Sequence, residues 1–146
     1  MANLYGVNYT AQDPVAAGDT SGTLAANIDV AEWGGRVRVC YDSFTASGAT
    51  GATDVIHLGK IPNNATILYG VMIHDNTNGS AKYQVKVGST ELRASATMTA
   101  DTLTLITKQA SIASKTTALS DVTVTLATAA LADTKSIKLM IYYTVD

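Results

Sequence analysis

A period-two alternation of side chains, carried by β-branched residues, constrains this chain more than any other feature. Near the end, Ile137, Leu139, Ile141, Tyr143 and Val145 alternate with Lys138, Met140, Tyr142 and Thr144. Successive side chains of a strand point to opposite faces, so such a run reads as a strand. It is apolar on much of both faces, which predicts a central strand covered on two sides. Val122, Val124 and Leu126 alternate with Thr123 and Thr125 in the same way. Val37, Val39 and Tyr41 point one way while Arg36, Arg38, Cys40 and Asp42 point the other. About twenty threonines, with many valines and isoleucines, favour a pleated surface because they are stiff at χ1.

Residues 53–60 form a further expected strand, ended by Ile61-Pro62-Asn63-Asn64, because proline lacks a ladder donor and asparagine tolerates turn geometry. Residues 66–75 read as the first arm of a hairpin that returns through residues 80–87. A two-residue Asn78-Gly79 turn places Val71 opposite Lys86 and Ile73 opposite Gln84. A three-residue loop, Thr77-Asn78-Gly79, places Tyr69 opposite Val87, Val71 opposite Val85 and Ile73 opposite Tyr83. The second register gathers the apolar set on one side and is the one expected. Residues 47–53 read as a loop, and residues 94–120 as one strand near 102–107 with irregular flanks. Short helices are possible near 25–30 and 128–132. About eight strands with few helices predict an all-β fold, an antiparallel β-sandwich or barrel.

At 146 residues the chain is most simply one folded domain. The division expected is an extended N-terminal arm over 1–31 and a β-sandwich over 32–146. Charged residues make up 15%, well below the usual level of about 25%, which suits a protein that lives against other protein surfaces. A net charge of −2 disfavours a polyanionic partner such as nucleic acid. The single cysteine, Cys40, excludes an intrachain disulfide and reads as a small buried hydrophobe. No basic-then-apolar leader and no run long enough to span a bilayer is present, so synthesis in the cytoplasm and no membrane partner are expected.

Catalytic signatures are missing. There is no G-x-S-x-G elbow, and only His57 and His74 are available as a histidine base. His57 reads as a packing or hydrogen-bonded residue and His74 as a solvated surface group. The only glutamates are Glu32 and Glu91, which gives no paired-carboxylate motif for glycoside hydrolysis. The oxygen-rich run Asp75-Asn76-Thr77-Asn78-Gly79 lacks the glutamate of a calcium loop, so a hairpin turn explains it better. Arg36 and Arg38 with Lys82 and Lys86 read as solvated outer faces of strands, not as a phosphate site. No enzyme, cofactor, metal or small-molecule substrate is expected.

Three segments carry a likeness to a known family. They are MANLYGVNYT at the start; the Trp33-Gly34-Gly35-Arg36-Val37-Arg38-Val39 run with Tyr41-Asp42, continuing through Asp54-Val55-Ile56 and Gly59-Lys60-Ile61-Pro62; and the tail SIKLMIYYTVD. Together they resemble small head decoration, or cement, proteins of tailed bacteriophages. That resemblance implies a jelly-roll subunit, a homotrimer, sitting on the exterior of the virion head after synthesis in the host bacterial cytoplasm. Its partner would be the major capsid protein.

Within that frame the interface candidates are Tyr5, Val7, Tyr9 and Trp33. Tyr5, Val7 and Tyr9 alternate with Gly6 and Asn8, so they are strand-like, and a poorly patterned stretch separates them from the body. Such a strand either adds to a neighbour's sheet edge or forms the first strand of its own sandwich. Trp33 is either an interface anchor or a core residue that pins the arm. Jelly rolls also serve as lectins, so a carbohydrate-binding or host-adhesion module is the alternative, with Tyr142 and Tyr5 as the exposed aromatics it would use.

Overall fold

The computed structural model describes residues 2–5, 37–48, 50–106 and 113–145. Among them the chain forms nine strands and no helix: β1 (Asn3–Tyr5), β2 (Val37–Thr45), β3 (Val55–Ile61), β4 (Ala65–His74), β5 (Lys82–Val87), β6 (Thr90–Thr97), β7 (Thr104–Leu105), β8 (Ser120–Ala127) and β9 (Ser136–Val145). They make two sheets, a five-stranded one ordered β1-β3-β8-β5-β6 and a four-stranded one ordered β2-β9-β4-β7. The antiparallel pairings nest: β2 with β9, β3 with β8, β4 with β7, and β5 with β6. Lateral β4–β9 and β5–β8 pairs complete the sheets. The architecture is an all-β sandwich.

The inner faces make one core. Ile56, Leu58, Tyr83, Val85, Val122, Val124 and Leu126 from the larger sheet, and Ile67, Met72, Ile137, Leu139 and Ile141 from the smaller, are all buried. Side chains alternate in and out of that layer, as packed sheets require. Gly70 permits the closest approach. A Cβ there would sit 2.6 Å from Ile141 Cδ1 and 2.9 Å from Ile106 Cδ1.

The N-terminal strand β1 belongs to its own chain's sheet, pairing parallel to β3 with Asn3 opposite Val55 and Tyr5 opposite His57. Asp54 fastens it. Its Oδ1 accepts a hydrogen bond from the Ala2 backbone N–H at 3.0 Å, and its Oδ2 accepts from Gly51 N–H at 2.7 Å. Those two N–H donors hold the Asp54 carboxyl below its ordinary pKa.

Several sequence expectations hold. β9 is central in its sheet, β3 ends at Ile61 before Pro62, and residues 47–53 form a connection. Others are corrected. Residues 66–87 are not a hairpin, because β4 and β5 lie in different sheets and the segment between them crosses the sandwich. Asn76 lies in that crossing segment. It is buried, not a turn-tip residue, and its Nδ2 donates to Tyr83 Oη at 3.1 Å and to the Ala130 carbonyl at 3.3 Å. The tight hairpin is β5–β6, turning at Gly88 (φ 55°) and Ser89.

The expected register therefore fails, and so does the facing. A bulge between Ile67 and Tyr69 flips β4, so Ile67 and Met72 point inward while Tyr69, Val71 and Ile73 point outward. On β5 the alternation is as expected, with Tyr83, Val85 and Val87 inside. Among the described residues, the strand expected near 102–107 is the two residues of β7. Residues 128–132 are not helical; Leu131 is buried and its N–H donates to Thr50 Oγ1 at 2.8 Å. The segment 25–30 lies outside the described residues.

Candidate functional site

The groups with chemical potential are mostly spent on structure. Cys40 faces the core, and burial together with the nearby Asp42 pushes its thiol up to about 12, so it stays an unreactive thiol. His57 lies on the outer face of the larger sheet with Nδ1 3.3 Å from Asp121 Oδ2, and Lys60 Nζ is 3.7 Å from Asp121 Oδ1. The bulge at Gly59 (φ 81°) turns Lys60 to the same side as His57.

His74 is not the solvated group expected from its place beside a turn. It is 4% exposed, and its ring packs against Tyr83 at a tilt of 30° with centroids 4.6 Å apart. Burial lowers its pKa, although Asp75, Asp101 and the backbone at Met98 and Asn76 lie close enough to favour the cation. Neither ring nitrogen completes a well-formed hydrogen bond. The bulge in β4 carries this residue inward, a reversal that alternation alone does not reveal.

A shallow open depression at the end of β4 is lined by Ile73, His74, Asp75, Asp101, Ser136 and Lys138. Asp75 there caps backbone, its Oδ1 accepting from Ser136 N–H at 2.6 Å. Among the described residues no cluster of three or more His, Cys, Asp or Glu side chains is placed to hold a metal ion.

The more distinctive surface is apolar. On β2 the face that points outward is Val37, Val39 and Tyr41, with Val37 59% exposed, while Cys40 and Asp42 point in. Asp42 is 1% exposed and its Oδ1 accepts from Ser43 N–H at 2.7 Å. Arg38 shares the inward face and is half-buried, so β2 does not present the solvated arginine face expected from its sequence.

The register places these outward residues in rows. Val39 lies opposite Tyr142, which lies opposite Tyr69. Tyr41 lies opposite Met140, then Val71, then Leu105, so one apolar row crosses all four strands. The rings of Tyr69 and Tyr142 stack at 4.4 Å with 16° between planes. Leu105, opposite Val71, and Leu103, two residues before it, are each 60% exposed. The second cover expected for β9 is therefore not supplied by the described residues; Met140 and Tyr142 are only half-buried. Scattered exposed hydrophobes are ordinary, but a contiguous patch of this kind marks an interaction surface.

Of the interface candidates read from sequence, Tyr5 lies in β1, at the outer edge of the five-stranded sheet. Val7, Tyr9 and Trp33 lie outside the described residues. Sequence reasoning missed the apolar face of the smaller sheet. The signal was present in β9, whose two faces are both apolar, but not in β2, where alternation separates two faces without saying which is inside.

No family model matches the chain, and no curated protein sequence matches it. Solved structures do. The chain is similar to one in the capsid of Ralstonia phage GP4, with a TM-score of 0.71 and 22% identity over 99% of each chain. It is also similar to a chain of the cyanophage Pam1 capsid asymmetric unit, with a TM-score of 0.62 and 20% identity over 87% of this chain and 100% of that one. At such identities the likeness establishes a shared fold.

Proposed function

We propose that this protein is a bacteriophage capsid decoration, or cement, protein. It would bind the outer surface of the head as a homotrimer and stabilise contacts between major capsid subunits, with no catalytic role. The observation that carries this reading is the likeness to a chain of the GP4 capsid over 99% of each chain. The nested strand pairing supports reading the sandwich as a jelly roll. The low charge and the apolar outer face agree with a life spent against other proteins.

Mechanically, each subunit straddling a seam adds buried area that must be lost before the shell opens. Stable contacts bury about 1,600 Å² in total, and linked subunits make their later contacts intramolecular. Residues 1–31 are the proposed arm; Tyr5, Val7 and Tyr9 within it, and Trp33 just beyond it, are the proposed contact residues. The sugar-binding alternative gains little support, because Tyr142 is flanked across the strands by Val39 and Tyr69 instead of amide or carboxylate partners.

The test compares particles assembled with and without the protein. Complete particles should release DNA at a higher temperature than depleted ones. Equal thermal and osmotic resistance, or absence of the protein from purified heads, would remove the proposal.

A further inference from the structure

We propose that Asn78-Gly79 is a site of spontaneous covalent modification, where the exposed turn between β4 and β5 lets the chain convert its own asparagine into isoaspartate and aspartate. This chemistry belongs to the chain itself and does not depend on what the protein binds.

The run Asp75–Gly79 is not a hairpin tip, because β4 and β5 lie in different sheets. Its Asn76 is a buried tether, whereas Thr77, Asn78, Gly79 and Ser80 are exposed. Ala81 N–H donates to the Asn78 carbonyl at 3.0 Å, closing a turn with Gly79 and Ser80 at its centre. The Asn78 side chain folds over the same turn, its Oδ1 accepting from Ser80 N–H at 3.2 Å. The ring closed by that hydrogen bond contains both Asn78 Cγ and the Gly79 nitrogen. A Cβ at Gly79 would meet no atom within 4 Å, so nothing crowds this nitrogen from that side.

The reaction is intramolecular, so its groups need no encounter. Gly79 N attacks Asn78 Cγ, forming a C–N bond as the Gly79 N–H proton leaves. Negative charge builds on Oδ1, the atom to which Ser80 N–H already donates. The Cγ–Nδ2 bond then breaks, and Nδ2 departs with a proton as ammonia, leaving a cyclic imide. Water adds to one of the two imide carbonyls. Opening on one side gives aspartate; opening on the other gives isoaspartate, with an extra methylene in the main chain.

Three other asparagines provide the internal control. Asn64 N–H, the nucleophile for Asn63, donates to Asn63 Oδ1 at 2.8 Å and to the Thr116 carbonyl at 3.0 Å. Ala65 N–H, the nucleophile for Asn64, is buried and donates to Thr116 Oγ1 at 2.9 Å. Asn76 is 2% exposed, and its Nδ2 is held by Tyr83 Oη and the Ala130 carbonyl.

The experiment incubates the full-length protein over weeks at neutral and at mildly alkaline pH, then applies ion exchange and peptide mass spectrometry. An acidic form should accumulate, one charge more negative than the starting −2. It should form faster at the higher pH, because the attacking nitrogen must lose its proton. The mass gained when NH2 gives way to OH should lie at residue 78, with isoaspartate and aspartate both present. Asn63, Asn64 and Asn76 should keep their amides over the same interval. An unchanged Asn78 would overturn the proposal, as would conversion of Asn63 or Asn64 at a comparable rate. So would a product that is aspartate alone, which direct hydrolysis would give.

Gly79→Ala sets a methyl group in open space on a backbone that is not left-handed, so the circular dichroism spectrum should be unchanged. The methyl group crowds the attacking nitrogen, and conversion should slow several-fold. Conversion at the wild-type rate would overturn the proposal; the isoaspartate content of the wild-type product tests the same pathway without a variant. Particle resistance bears on the cement reading and not on this site, so the two can fail separately.

Discussion

The two central strands, β8 and β9, are alike on one side and opposite on the other. Each has both neighbours in its sheet, and each sends a buried apolar row into the core: Val122, Val124 and Leu126 from β8, and Ile137, Leu139 and Ile141 from β9. Their outer rows diverge. β8 shows Asp121, Thr123 and Thr125, whereas β9 shows Lys138, Met140, Tyr142 and Thr144. Inner rows are fixed by the need to close a core, and any sandwich needs them. Outer rows are free of that demand, so their chemistry reports what lies beyond the subunit. β8 is built for water, and β9 is built to be covered.

The largest expected effect tests the equivalence of the inner rows. Leu126→Ala and Ile141→Ala each delete a fully buried side chain, so each should cost about 2–5 kcal/mol in urea unfolding. A loss well under that range for only one of them would show that the two sheets do not contribute alike to the core. Next in size is Gly70→Val. The new side chain would run into Ile141 and Ile106, and overpacking of this kind typically costs about 1–3 kcal/mol. A neutral result would mean that both isoleucines have room to swing aside.

A smaller effect sharpens the contrast between the outer rows. The stacked pair Tyr69 and Tyr142 should show a coupling of about 0.5–1.5 kcal/mol in a double-mutant cycle to alanine. Thr123 and Lys86, which face each other at the corresponding place on the other sheet, should couple more weakly. Equal coupling in the two pairs would erase the distinction drawn between the faces.

Much of the fold was legible because alternation is a local signal. β8, β9 and the alternation along β5 follow from side-chain period alone. What alternation lacks is the identity of the inner face. Asp42 on β2 shows why. A carboxylate at 1% exposure is the last residue that composition would send inside, yet it lies opposite Leu139, and Val39 goes out. Bulges hide from the same reading. The irregularity after Ile67 reverses the rest of β4, which is how His74 becomes buried and Tyr69 exposed. Asn76 reads as a turn residue because its type prefers turns. Only the three-dimensional placement of Tyr83 and Ala130 makes it a buried tether. The apolar outer face had a trace in β9, but its extent depends on which strands are neighbours, and that is a property of topology.

The last prediction concerns the place where the two inner rows meet through a titratable pair, and its effect is nil at neutral pH. His74 from the smaller sheet packs its ring, tilted, against Tyr83 from the larger, and burial holds its pKa below the ordinary value of about 6.5. A base with a lowered folded pKa binds fewer protons folded than unfolded. Its contribution is therefore intact above about pH 6.5 and is lost as the pH falls from there through the folded value. Asp54 acts in the same direction but lower, below its unfolded value of about 3.9, because backbone N–H groups depress its folded pKa. His74→Phe keeps an aromatic ring against Tyr83 and removes the titration. The melting temperature of this variant should stay flat between about pH 6.5 and about pH 4, where the wild-type value declines, and should fall with the wild type below that. Asp54→Asn should do the reverse, flattening only the lower limb. Parallel curves for His74→Phe and wild type across the upper window would show that His74 is protonated in the folded chain as readily as in the unfolded one.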